Sequence, residues 1–306
     1  MVWHLRCACK PLKKVGYLEH NDGIILYWIG NMRSFAFLSL FLFLLLGMAP
    51  TVPDEQHLTR LELEVADYFR ELRMVGTDTE KSDVAQHIDT LFRAILHHPE
   101  SYDHPFDSLL NIGKIYSPDR LVRIYTWNVP MNDGTQIYYG YIQRLHKGRV
   151  LCYQLEHVPF MVPDTLSCYS DTSWYGALYY DIFEKSCNEK TYYIVLGMDL
   201  NNFITTRKII DVILFEKDHP TFGASIFEKG ESVLNRVIFE YSSQVSMMLR
   251  YDPAADMIIF DHLSPHETRF EGQYQYYGPD FSYDGFRFES CRWAYTEDLD
   301  LRNTLR

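Results

Sequence analysis

The stretch "TYYIVLGMDLNNFITTRKIIDVILF", Thr191–Phe215, decides the fold. Two runs rich in β-branched and aromatic residues, Thr191–Met198 and Lys208–Glu216, flank the polar turn "DLNN", Asp199–Asn202. Branched side chains suit a pleated surface, and Asx residues tolerate and cap the turn between strands. The stretch therefore reads as a strand pair.

The same reading extends in both directions. Candidate strands are 121–127, 136–144, 149–155 and 177–183 upstream, and 236–241, 247–251, 257–262 and 286–295 downstream. "NDG" at Asn132–Gly134 and "HKG" at His146–Gly148 supply residues that accept positive φ between strands. "DPAAD" at Asp252–Asp256 joins two short apolar runs as a hairpin. No helical pattern of crossover length separates the strands, so parallel βαβ units are not expected. The fold class is mainly β (α+β): a short N-terminal helical hairpin, then a large antiparallel β meander. A sandwich, a curled sheet or an irregular propeller would each accommodate it, although no repeat near blade length supports the propeller.

The helical part lies at 54–113. Leu58, Leu61, Val65, Tyr68, Phe69 and Leu72 share one helix face, and Gly76 stops that helix. Asp78 or Thr79 is positioned to cap a second helix carrying Val84, Ile88, Leu91, Phe92 and Ile95, which Pro99 ends. A short third helical segment is expected over 106–112. The β domain then occupies 117–306.

Further upstream, "MRSFAFLSLFLFLLLGMAP", Met32–Pro50, has a short basic start, an uncharged apolar run and small residues after it. That is the layout of a secretory signal peptide over 32–49, and the run is shorter than a membrane span usually requires. An uncleaved anchor is the competing reading. Residues 1–31 show neither period nor turn logic and read as lying before the true start. The expected destination is the periplasm or cell envelope, with a membrane touched only through an uncleaved N-terminal segment.

Composition bounds the partners. The chain of 306 residues has net charge −12; residues 1–49 contribute +3, leaving −15 on residues 50–306. So acidic a body does not suit nucleic acid. With 47% apolar and 15% aromatic residues it is a globular composition. Cys152, Cys168, Cys187 and Cys291 allow three pairings in an oxidising compartment, with buried free thiols as the alternative; Cys168 with Cys187, flanking one strand, is the preferred pair if a disulfide forms.

Residues 115–300 resemble an uncharacterised family of exported bacterial proteins. The resemblance is carried by 191–215, by "PTFGASIF" at Pro220–Phe227, "RVIFEYSSQVSMMLRYD" at Arg236–Asp252, "MIIFDHLSP" at Met257–Pro265 and "YGPDFSYDGF" at Tyr277–Phe286. It implies export and a β-rich fold, and no activity. Where the family carries Trp and Gly, this chain has Met198 and Leu200, and Leu disfavours a positive φ.

The most chemically suggestive stretch is "DHLSPHETRFEGQYQYYGPDFSYDGF", Asp261–Phe286. Asp261, His262, Tyr276, Tyr277, Asp280 and Tyr283 form the candidate binding set, with Asp284 also interleaved among the rings. Flat rings with polar tips suit a glycan or an envelope protein, and cross-strand packing would use the same residues. Asp261, His262, His266 and Glu267 could approach a metal, but Pro265 prevents a shared helix face. Asp199, Asn201 and Asn202 are weak calcium candidates, with one carboxylate among them; capping the turn explains them more cheaply. The histidines of "HHPESYDH", His97, His98 and His104, suit a helix C-terminus.

No cofactor is implied. "GASIF" at Gly223–Phe227 lacks the second glycine of a nucleophile elbow, and no Walker A, GxGxxG or CxxC pattern occurs. The expected function is therefore a non-enzymatic exported binding or interaction domain. The alternatives are a hydrolase acting on glycans or envelope polymers through paired carboxylates, and a structural subunit of an envelope assembly.

Overall fold

A computed structural model of the protein describes residues 54–300 apart from 160, 162, 163 and 217. The expected signal peptide or anchor at 32–49, and the segment 1–31 before it, lie outside the described residues. Helix α1 spans Asp54–Leu72 and α2 spans Asp78–Leu96. The N-cap of α2 is Thr77 rather than Asp78 or Thr79. Its backbone is extended, Thr77 Oγ1 accepts from the Glu80 N–H, and the Glu80 carboxylate accepts from the Thr77 N–H, a reciprocal capping box. Val84, Ile88, Phe92 and Ile95 bury one stripe of α2.

The third helix expected over 106–112 does not form. Phe106 takes positive φ, Ser108 N–H turns inward to Glu62, and Lys114 Nζ donates to the carbonyls of Phe106 and Leu109. Phe106, Leu109 and Ile112 are buried nonetheless, so their apolar spacing reflects core contact and not a helix.

The described strands fall into three sheets. The first is a meander in chain order: β1 Gly113–Tyr116, β2 Val122–Pro130, β3 Gln136–His146 and β4 Arg149–Leu155. The middle sheet runs β5 (Tyr169–Ser170), β9 (His219–Phe222), β8 (Thr205–Glu216), β7 (Lys190–Asp199) and β6 (Leu178–Cys187), with β12 (Val237–Ser242) also pairing β8. The third runs β11 (Ser232–Leu234), β10 (Phe227–Lys229), β16 (Arg292–Thr296), β15 (Tyr277–Glu289), β14 (Met257–Pro265) and β13 (Leu249–Asp252). Among the described strands pairing is antiparallel except between β10 and β16, and an isolated parallel bridge joins His157 to Trp174.

Strand alternation explains how these sheets stack. On β8, Ile209 and Ile213 join Ile124 and Ile142 of the first sheet in one core, while Ile210 and Val212 join Ile258 and Phe286 of the third in another. The middle sheet is thus buried on both faces. Tyr125, Trp127 and Tyr141, on the opposite face of the first sheet, pack beneath Phe69, Ile88 and Phe92 of the helices. The order of layers is helices, first sheet, middle sheet, third sheet. None of the sheets closes into a barrel, so a stacked, sandwich-like arrangement is the one adopted.

Two local expectations change. The single strand expected over 286–295 is broken at Ser290 and Cys291, both at positive φ, and becomes the β15–β16 hairpin. Cys187 is disulfide-bonded to Cys291 and not to Cys168, which is a free, exposed thiol. The reason is layering: the β6–β7 and β15–β16 hairpin turns belong to adjacent sheets and meet there, placing the two Cα atoms 5.7 Å apart.

Candidate functional site

A cleft of about 530 Å³ opens where the β2–β3 turn, the β7–β8 turn and the segment around His157 converge. That volume lies within the range of small-ligand pockets. The β7–β8 turn closes through Asn201, which takes the positive φ that Leu200 would resist. Asn202 Oδ1 accepts from the backbone N–H of Ile204 and Thr205, so this carboxamide caps the turn.

Asp199 is the centre of the cleft wall. Its Oδ1 accepts from Tyr138 Oη and Asn201 N, each at 2.8 Å, and its Oδ2 accepts from Arg207 at 3.1 Å. Arg207 also donates from Nε to Glu240 at 2.9 Å, and Thr205 donates to the same carboxylate. Arg207 therefore bridges two carboxylates, which ties the wall together and leaves it one net negative charge. Among the described residues no group of acidic, histidine or cysteine side chains is arranged to hold a metal ion. Asp199, Asn201 and Asn202 all line the cleft.

His157 lines the opposite side. Its Nδ1 accepts from the Tyr138 N–H at 3.1 Å, which places the proton of the neutral ring on Nε2. Burial pushes the His157 pKa down, keeping the ring neutral near pH 7. Tyr138 is pushed far up, first by burial and then by the Asp199 charge, so it remains a phenol. Asp133, on the β2–β3 turn, is held below the usual carboxylate range by the Thr135 hydroxyl and N–H. Phe203 packs its ring over Gly134 on that turn yet stays 73% exposed, and Ile204 beside it is 60% exposed. The cleft thus presents fixed donors and acceptors, with exposed apolar side chains on the adjoining turn.

The candidate set in 261–283 divides. Asp261 Oδ2 accepts from the Met248 N–H and ties β13 to β14. Tyr283 stands opposite Asp261 in the β14–β15 register. Tyr276 stacks on Phe270 at 4.0 Å, and the Tyr277 hydroxyl accepts from Gly272 N. Asp280 accepts from the N–H and hydroxyl of Ser282. The ladder shifts between Asp261 and Leu263, at His262, whose Nδ1 donates to the buried Asp284 at 2.7 Å. Tyr295 donates to the same Asp284 oxygen. The structure brings His262, Asp280 and Asp284 into one cluster, whereas Tyr276 and Tyr277 serve the neighbouring turn.

The hydrogen bond to Asp284 raises the His262 pKa. A histidine raised in the folded state contributes stability fully below its unfolded pKa and loses it as pH rises through the folded value. The stability difference between the native protein and His262→Gln should therefore shrink as pH is raised from below about 6.5 toward 8. Denaturation midpoints of both proteins across that range check this, and a constant difference would remove the coupling.

Sequence reading reached Asp199, Asn201 and Asn202 but passed over Tyr138, His157, Arg207 and Glu240. Tyr138 and Asp199 lie in different sheets, and only stacking joins them. The arginine in "TTRK", Thr205–Lys208, is the one available hint for Arg207, since an arginine on an apolar hairpin needs a carboxylate nearby. No protein-family model, curated protein or solved structure matches this chain.

Proposed function

We propose that the protein is an exported binding domain whose ligand seat is the Asp199–Arg207–His157 cleft, and that the ligand is an uncharged glycan. The carrying observation is the wall itself: Arg207 cross-links Asp199 and Glu240 into a fixed set of donors and acceptors, and the exposed Phe203 ring stands on the adjoining turn. Sugar hydroxyls both donate and accept, and their C–H faces suit an aromatic rim. Export is supported by the Cys187–Cys291 disulfide, which an oxidising compartment favours, and by the signal-like sequence at 32–49. Among the described residues no helix is long and apolar enough to cross a membrane.

Binding is preferred here because the Asp199 carboxylate is already engaged by Tyr138, Asn201 and Arg207, and Asp133 by Thr135. The test is a glycan array followed by calorimetry on the best ligand. Phe203→Ala and Gln136→Ala, the latter removing a carboxamide that lines the cleft, should each weaken binding by roughly fivefold, corresponding to about 1 kcal/mol, with an unchanged melting temperature. An array without a saturable ligand, or affinities indifferent to both substitutions, removes this reading.

The His262–Asp284 pair favours a second reading, the hydrolase, since a buried carboxylate orients a half-exposed imidazole there. Turnover abolished by His262→Ala in a protein that remains folded at the assay temperature would establish it.

A further inference from the structure

We propose that the outer edge of β4 is a docking site for an extended acidic peptide, which adds as a further strand to the first sheet. This site is separate from the glycan cleft and does not rest on that reading. β4 pairs only with β3, so its other edge is unpaired within the sheet. The direction of its backbone groups follows from register. Leu145 N–H points away from β4, donating to Leu121 O, so its neighbours Arg144 and His146 point toward β4. Their partners are Leu151 and Arg149, which direct their backbone groups inward. Val150, Cys152 and Gln154 therefore direct N–H and C=O outward, and among the described residues no other backbone pairs with them there.

That edge is not open to bulk solvent on a flat surface. It runs along a groove of about 890 Å³, walled on one side by the end of α2 (Leu96, His97, His98, Pro99) and on the other by Asp218 and His219. An incoming strand would alternate its side chains between the two walls.

Charge selects the occupant. The chain carries net −12, yet the groove presents the guanidinium of Arg149 against one lining carboxylate, Asp218, and lines the rest with His97, His98 and His219, the last of which meets Asp171 at 3.3 Å. Asp218 is already offset by Arg144 at 3.4 Å. Arg149 is exposed and makes no ion pair with a described residue. A peptide alternating carboxylates with β-branched residues matches both the unpaired ladder and the local charge.

The experiment uses fluorescence anisotropy with a labelled, blocked hexapeptide alternating valine and glutamate. Its controls are the lysine counterpart and a version N-methylated at alternate amides. Saturable binding is expected for the glutamate peptide. Affinity should fall by about tenfold or more with Arg149→Glu, with Val150→Pro and with N-methylation. Proline is tolerated on an edge strand, so Val150→Pro should stay folded by circular dichroism. Amide exchange should slow at Val150, Cys152 and Gln154 on binding. No saturable binding, equal binding of the lysine peptide, or indifference to N-methylation overturns the proposal. So does a free protein that sediments as a dimer which Val150→Pro dissociates, because a second copy would then occupy the edge.

Discussion

Replacing Arg236 with methionine is expected to lower the unfolding free energy by about 3–5 kcal/mol, the usual range when one partner of a buried ion pair is removed. Arg236 and Asp211 are both fully buried between the first and middle sheets and meet at 3.0 Å. Tyr175 donates to the same Asp211 oxygen at 2.7 Å. The guanidinium also donates to the carbonyls of Asp164, Ser167 and Phe222, and it stacks over Tyr169. One side chain therefore serves a carboxylate, an aromatic face and three backbone acceptors.

Methionine fills the volume but leaves Asp211 as an unpaired buried charge and the loop carbonyls without donors. The double variant Arg236→Met with Asp211→Leu should lie between the native protein and the single variant. It removes the stranded charge but not the unsatisfied carbonyls. Chemical denaturation monitored by tryptophan fluorescence checks both steps. A loss below 1 kcal/mol for the single variant would mean that water or a shifted loop solvates Asp211, and the layer contact described here would be wrong.

Breaking the Cys187–Cys291 bond has the second largest expected effect. The closed loop spans 104 residues, for which chain entropy alone gives about 4.7 kcal/mol, so a measured loss of about 2–5 kcal/mol is expected. At this size that corresponds to a melting temperature lower by on the order of 10 °C in reductant. The effect should not depend on which cysteine is replaced by alanine, because either change opens the same loop.

Peptide mapping of the oxidised protein distinguishes this bond from the alternatives. The bridged peptide should contain Cys187 and Cys291, with Cys168 labelled readily in the native state. Burial pushes the Cys152 thiol up to about 12, so it should label only after unfolding. A bridge that includes Cys168 would show that the hairpins of the middle and third sheets do not meet as described.

Sequence by itself determined what neighbouring residues decide. The apolar stripe of Val84, Ile88, Phe92 and Ile95 specifies α2, and Gly76 and Pro99 bracket it, because helix period and backbone breakers act over a few residues. The strand pair around "DLNN" was equally legible, since side-chain alternation and turn chemistry are local. So was the fold class.

The tertiary structure decided everything that joins residues distant in sequence. The spacing of Phe106, Leu109 and Ile112 imitates a helix, yet Glu62 and Lys114 claim the backbone groups a helix would need. Cys168 and Cys187 are closer along the chain than Cys187 and Cys291, but only the latter pair shares a layer boundary. Tyr138, Asp199 and Arg207 form one wall although 61 positions separate the tyrosine from the aspartate. Stacking of sheets places such groups together, and stacking depends on which faces are buried against which, a property of the whole chain that no local period contains.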